Sequence, residues 1–231
     1  GHLLENYHVP GLENPADDPT RDTPLRTAPP APPWLSDLVR PTASRRLGFP
    51  GLRVIREIFA GSSKYSRACL ELGLPMEEPL EKHISKTCVQ HDHDVMRTRI
   101  FDNLCFEIRS RFRVILYIAL VCTSWGRANN LNGGSRRTTC PLGSDNPLER
   151  EIIGNKQAEM VCVLCDLIAS AGGFFFIENP FDNFFWQSPF FLNLCEKHSI
   201  YLVEFDQCQF GLKLPGAHRH AFCRKRTIIA S

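Results

Sequence analysis

From residue 52 onward, short apolar runs alternate with stretches of helical period, and this alternation constrains the fold more than any other feature of the chain. Val54 to Phe59, Val114 to Val121, Phe174 to Ile177, Tyr201 to Phe205 and Thr227 to Ala230 read as strands. Between them, Tyr65, Ala68, Cys69 and Leu72 share one helical face, and residues 97–110 carry a helical pattern. Met160, Leu164, Leu167, Ile168 and Ala171 recur at helical spacing until Gly172-Gly173 stops them, and Pro189 to His198 reads as a further helix. Near-continuous apolar strands separated by helices predict an α/β fold, a mostly parallel sheet doubly wound with helices on both faces.

The first 50 residues differ in texture. Ten of the 17 prolines lie there, including the run from Pro29 to Pro33, with Asp17, Asp18, Arg21 and Asp22 nearby. We read residues 1–50 as a proline-rich extended N-terminal segment and residues 51–231 as the folded core. Trp34, Leu35, Leu38 and Val39 are expected to dock one short helix on the core. Gly1-His2 reads as a cloning remnant, no signal-peptide pattern follows it, and no apolar run reaches the roughly 20 residues of a membrane helix. Ten irregularly spaced cysteines in a chain of 231 residues read as reduced thiols, most of them core filler. The expectation is an intracellular protein, of nucleus or cytoplasm, with no membrane partner.

In sheets of this kind a ligand sits outside the carboxyl ends of the strands, near the switch point of the strand order. Three strand ends carry unusual residues: Glu57-Ile58-Phe59-Ala60-Gly61-Ser62-Ser63, Val121-Cys122-Thr123-Ser124-Trp125 and Ile177-Glu178-Asn179-Pro180. With their strands side by side, the three tips converge on one crevice. The order Phe-Ala-Gly, strand-end Cys, Glu-Asn resembles the S-adenosylmethionine-dependent cytosine-5 methyltransferases of nucleic acids. It is similar above all to short, divergent DNA-methylase-like sequences, which continue with Asp-Gln-Cys-x-Phe-Gly and Lys-x-Thr. Here those segments are Asp206 to Gly211 and Lys225-Arg226-Thr227, and the match covers about residues 54–230 with its elements in order.

The resemblance implies a Rossmann-like methyltransferase sheet with S-adenosylmethionine as cofactor. The turn of Phe59, Ala60, Gly61, Ser62 and Ser63 lets backbone approach the amino-acid end of that cofactor, and the N-terminus of the following helix favours its carboxylate. Glu78 and Glu81 are the two candidates for holding the ribose hydroxyls, and Asp94 aligns with the acid near the adenine. Cys122 takes the part of a nucleophile that adds to cytosine C6 and makes C5 nucleophilic. Glu178 binds the N3 and amino edge of the flipped base, and Asn179 holds the turn.

Basic residues are placed asymmetrically. Gly211 to Arg226 holds Lys213, Arg219, Arg224, Lys225 and Arg226 with no acid, and the long polar loop from Thr123 to Pro147 adds Arg127, Arg136 and Arg137. These are the expected phosphate contacts, and the loop is expected to be mobile and to close over nucleic acid. No metal is expected. Cys162-x-x-Cys165 reads as core, while His218, His220, Cys223 and Cys208 leave a zinc reading open.

The sequence also departs from the family. Leu120 and Val121 replace the prolines before the cysteine, Trp125-Gly126 replaces Phe-Ser, Ser63 replaces the third glycine, and the Gln-x-Arg-x-Arg strand is not evident. No target-recognition domain follows the last strand, and the chain stops as if cut at the core boundary. Target recognition would then come from a partner chain or a missing region. Two function classes follow: a methyltransferase acting on C5 of cytosine, in DNA ahead of RNA, through a covalent Cys adduct, and a catalytically degenerate module binding nucleic acid or protein within a larger mobile-element or viral polyprotein. An amino-methyltransferase ranks third, because Asn179-Pro180-Phe181 comes too late in the chain.

Overall fold

A computed structural model describes residues 5–7, 54–82, 90–110, 114–210 and 225–231. The docking residues Trp34, Leu35, Leu38 and Val39, the cations Lys213, Arg219 and Arg224, and the zinc candidates His218, His220 and Cys223 lie outside the described residues.

The β-branched and aromatic runs form the centre of the sheet, as their continuous apolar character requires. Val114–Ala119 (β3) and Phe174–Pro180 (β4) pair in parallel, with Ile118 opposite Ile177. Val54–Ile58 (β2) pairs in parallel on the other side of β3, with Ile58 opposite Ile118. Tyr201–Asp206 (β5) and Arg226–Ala230 (β6) complete this part of the sheet, and Glu5–Tyr7 (β1) adds a short parallel edge to β5. The strand order is β1-β5-β6-β4-β3-β2.

The closing strand departs from the parallel rule. β6 lies between β4 and β5 and is antiparallel to both. The Gln207 N–H donates to the Lys225 carbonyl at 2.9 Å, so the chain re-enters the sheet beside the point where it left, and the reversed direction follows. On the outer side of β2, Met76 and Leu80 make only isolated parallel bridges, to Ile55 and Ile58. Pro75 and Pro79 each precede one of these bridge residues and can donate nothing to a ladder, which keeps the stretch from becoming a full strand.

Five helices are described: α1 (Lys64–Glu71), α2 (Thr98–Ser110), the single turn α3 (Ala128–Leu131), α4 (Glu149–Ser170) and α5 (Pro189–Lys197). The protein is an α/β structure whose mostly parallel sheet buries one face under α2, α4 and α5. Leu116, Ile118, Phe175, Ile177 and Ala230 join Leu104 and Ile108 of α2, Leu164 and Ile168 of α4, and Phe191 and Leu194 of α5 in one buried cluster. Cys162 and Cys165 belong to that cluster. Burial pushes the Cys162 thiol up to about 12 and the Cys165 thiol well above its ordinary value, as core thiols require. No disulfide joins the described cysteines, and no group of three or more metal-ligating side chains occurs among the described residues.

The opposite face carries α1, through a stack of Tyr65 on Tyr117 with ring centroids 3.8 Å apart and planes 10° apart. The buried side of α1 is Ser66 and Cys69; Ala68 and Leu72, expected inward, are exposed. No described helix is long and apolar enough to cross a membrane.

The end of α4 shows how the glycine signal works. Gly172 takes φ +72°, its N–H donates to the Ala169 carbonyl, and the Gly173 N–H reaches back to the Ile168 carbonyl at 2.9 Å. This is a Schellman closure, which turns the chain directly into β4. A Cβ on Gly173 would stand 2.7 Å from the Val114 carbonyl and 2.9 Å from Ile168 Cγ2. Gly173→Ala should therefore destabilise the fold by about 1–3 kcal/mol, measured by urea unfolding, because backbone on one side cannot yield.

Candidate functional site

After β2 the chain moves outward to Met76–Leu80, then returns across β2 to form β3 on the inner side. That reversal sets the outer stretch and β3 on opposite sides of β2, and in open α/β sheets ligands sit outside the carboxyl ends of such strands. Because β4 is parallel to β3 and next to it, its carboxyl end opens on the same edge. The three unusual strand tips are therefore neighbours.

The tip of β2 is a tight turn with three residues in left-handed backbone: Phe59 (φ 57°), Gly61 (φ 52°) and Ser63 (φ 52°). Two of them are not glycine, and such strain is held only where the surroundings fix it. Here the Phe59 N–H donates to the Leu80 carbonyl at 2.9 Å and the Gly61 N–H to the Glu81 carboxylate at 2.7 Å. Nothing lies within 4 Å of the place where a Cβ on Gly61 would stand, so that side of the turn is open.

The N-terminus of α1 is occupied in part. It already holds a carboxylate, that of Glu57, which accepts from the Ser66 N–H at 2.9 Å and the Ser66 hydroxyl at 2.5 Å while only 3% exposed. Of the two ribose candidates, Glu81 stands at the turn, whereas Glu78 points outward, 3.7 Å from His93. Asp94 is buried, 3.0 Å from Lys82 Nζ, and accepts from the Met96 N–H just before α2. It works there as a local cap.

The tip of β3 carries Cys122, half-buried, three residues beyond Ala119. Its carbonyl accepts from the N–H groups of Trp125 and Gly126, both at 3.0 Å, which makes the turn. The loop that follows is expected to offer Arg136 to phosphate, and the structure overturns that expectation. Arg136 is 0% exposed. Its Nε donates to the Ser124 carbonyl at 2.8 Å, Nη1 to the Pro141 carbonyl at 2.5 Å and to Asn155 Oδ1 at 2.8 Å, and Nη2 to the Glu151 carbonyl at 2.9 Å. The guanidinium also lies 3.6 Å from the centre of the Trp125 ring. Burial pushes Arg136 down to about 10, with Glu151 pulling the other way, so it stays a cation at neutral pH.

Glu151, also 0% exposed, accepts from the Ser135 N–H and hydroxyl (both 2.8 Å), Asn129 Nδ2 (2.9 Å) and the Leu148 N–H (3.0 Å). It thereby closes the first turn of α4 and ties the loop down. Arg127 and Arg137 remain exposed, with Arg127 4.0 Å from Asp182 and Arg137 donating to the Arg136 carbonyl.

At the tip of β4, Glu178 pairs with Ala119 across the sheet. Its Oε1 accepts from Gln207 Nε2 at 3.1 Å and lies 3.3 Å from Lys225 Nζ. Lys225, expected at phosphate, is thus turned onto this carboxylate. Three segments far apart in the chain meet here, and all three belong to the ordered motifs read from the sequence. Asn179 faces the core, 0% exposed, and its Oδ1 accepts from Asn183 Nδ2 at 2.8 Å, holding the turn after β4.

Cys122, Glu178 and the 59–63 turn with Glu81 are brought to one edge of the sheet; Glu78, Asp94 and Arg136 are not available there. Glu57, Glu151 and Gln207 were missed as working groups. Glu57 does leave a trace, as an acid inside an apolar run, and Glu151 another, as the third residue of a helix that opens after Pro147-Leu148. No protein-family model matches the chain, and no curated protein matches it at a significant level.

The donors around Glu151 generate a prediction. Burial alone would raise this carboxyl, but the Ser135, Leu148 and Asn129 donors hold it below its ordinary value. A depressed carboxyl contributes stability that is present above the ordinary carboxylate pKa of about 4.3 and lost as pH falls below it. Glu151→Leu should cost about 3–5 kcal/mol at neutral pH, since it leaves the donors of Ser135, Asn129 and Leu148 without their acceptor and removes the negative charge near buried Arg136, and the deficit should shrink as pH falls below 4. Urea unfolding from pH 3 to pH 7 measures both.

Proposed function

We propose that this chain is an S-adenosylmethionine-dependent methyltransferase acting on C5 of cytosine in nucleic acid, DNA ahead of RNA, built on a doubly wound Rossmann-like sheet. The observation that carries the proposal is the meeting of Glu178, Gln207 and Lys225 at the carboxyl end of β4, next to β3, whose end leads to Cys122.

The residues at the β2 tip fit the cofactor. The turn from Phe59 to Ser63 is open over Gly61, and the Glu81 carboxylate beside it suits ribose hydroxyls or a cationic group. When bound, S-adenosylmethionine supplies the methyl group. The chain's own work is done by two side chains. The Cys122 thiolate would add to C6 of cytosine, the C5–C6 π pair moving to C5 to take the methyl group; the C5 proton then passes to water, and its electron pair re-forms the C5–C6 double bond and expels the thiolate. Glu178 accepts a hydrogen bond from the amino edge of the base, its Oε1 being already held by Gln207 and Lys225. Of the described cations expected at phosphate, Arg127 and Arg137 are exposed.

One observation favours a second reading, a degenerate module that binds nucleic acid or protein. The N–H donors of Gly61 and Ser66 are both taken by carboxylates of the chain, and Lys225 already neutralises Glu178. Calorimetric titration with S-adenosylmethionine separates the two. Binding that is lost in a folded Gly61→Leu variant supports the enzyme, and no binding by the wild type supports the module.

The covalent step has its own test. DNA carrying 5-fluorocytosine, offered single-stranded, mismatched and paired with cofactor present, should trap the protein. Cys122→Ser should abolish the adduct, Glu178→Gln should slow it about 10²-fold or more, and replacement of exposed Cys140 should leave it intact. Cofactor binding without any Cys122-dependent adduct would overturn the cytosine-5 reading.

A further inference from the structure

A fully buried arginine inside a loop of Gly, Asn and Ser is costly unless its whole donor set is used. Arg136 uses all of it. What it grips is specific: the Ser124 carbonyl at 2.8 Å, the Ser124 hydroxyl at 3.5 Å and the face of Trp125 at 3.6 Å. Both residues lie in the turn that closes on the Cys122 carbonyl, which accepts from the Trp125 and Gly126 N–H groups at 3.0 Å. The far side of the guanidinium is fixed to α4, through the Glu151 carbonyl and Asn155 Oδ1. Gly154, between those two residues, lets the turn come this close; a Cβ there would stand 2.1 Å from Ser124 Oγ and 3.1 Å from Arg136 Nη2.

We propose that Arg136 is a positioning residue for Cys122: it clamps the Ser124-Trp125 turn to α4 and so fixes where the thiol stands at the end of β3. The role in reaction rests on the cytosine-5 reading above; the clamp itself does not. The planar fork matters, because only a guanidinium can donate at once to Ser124, Pro141, Asn155 and the Glu151 carbonyl while stacking on an indole. Lysine keeps the charge and loses the geometry.

The test is Arg136→Lys in the full chain, examined well below its unfolding midpoint. Amide exchange across residues 122–126 of the cofactor-free protein should speed up at least tenfold, while exchange in β4 keeps its wild-type rate. Adduct formation on 5-fluorocytosine DNA should fall at least tenfold per folded molecule, with affinity for S-adenosylmethionine unchanged. A merely structural arginine would lower the unfolding midpoint and leave that rate alone. Asn155→Ala, which removes one acceptor from the fork, should give a smaller loss in the same direction if Arg136→Lys does not fold. Wild-type exchange across the turn in either folded variant overturns the clamp. If the wild type forms no adduct, the cytosine-5 reading fails, and the exchange measurement still decides the clamp.

Discussion

Parallel strands end together, and each leaves backbone donors at that edge which the next element must satisfy. In this protein carboxylates take several of these donors, and a further carboxylate ties side chains together at the β4 tip. Glu57 reaches from within β2 to the first turn of α1, and Glu81 returns from the broken outer strand to Gly61. Glu151 closes the start of α4 and holds the loop after Cys122. Glu178 meets Gln207 and Lys225, which fixes the end of β5 to the start of β6. The open edge of the sheet is a set of acids, each held in place by donors from another part of the chain.

Such a concentration of negative charge would repel itself if nothing intervened. The Tyr65–Tyr117 stack lies between Glu57 and Glu178 on the same face. Burial, with the two carboxylates adding to it, pushes the Tyr117 phenol well above its ordinary range, so it stays neutral. Two anions are thus separated by a flat, uncharged spacer. On the other side of the edge, Arg136 supplies a buried positive charge beside Glu151. The polar groups are distributed so that each anion meets a donor and not another anion.

The elements that were legible in the sequence are those whose signal is local. β3 and β4 are continuous apolar runs, and α4 has both a helical period and a glycine stop, so each was found to within a few residues. Direction and burial of polar groups are not local. The residues Arg226 to Ala230 look like any short strand, and only the hydrogen bond from Gln207 to Lys225 shows why that strand runs backward. Arg136 sits among glycines and asparagines, which reads as solvent; its burial depends on Trp125, Asn155 and Glu151, eleven to nineteen positions away. Ala68 and Leu72 fit the period of α1 yet face outward, because the helix is held by Tyr65 and by Ser66 on Glu57, not by an apolar stripe.

The position of β6 also orders events in time. This strand comes last among those described, yet it stands inside the sheet and joins β5 to β4. Until residues 225–230 have left the ribosome, β5 has no neighbour linking it to the rest, and its exposed ladder is open to mispairing. The unit from β2 to β4 can assemble earlier, with Cys122 already at its strand end, but Glu178 acquires Lys225 only when β6 docks. A nascent chain would therefore carry the thiol before the acid beside it is set. Contacts of such long sequence separation are slow to form, and a holdase that shields β5 during that interval would raise the yield of folded protein.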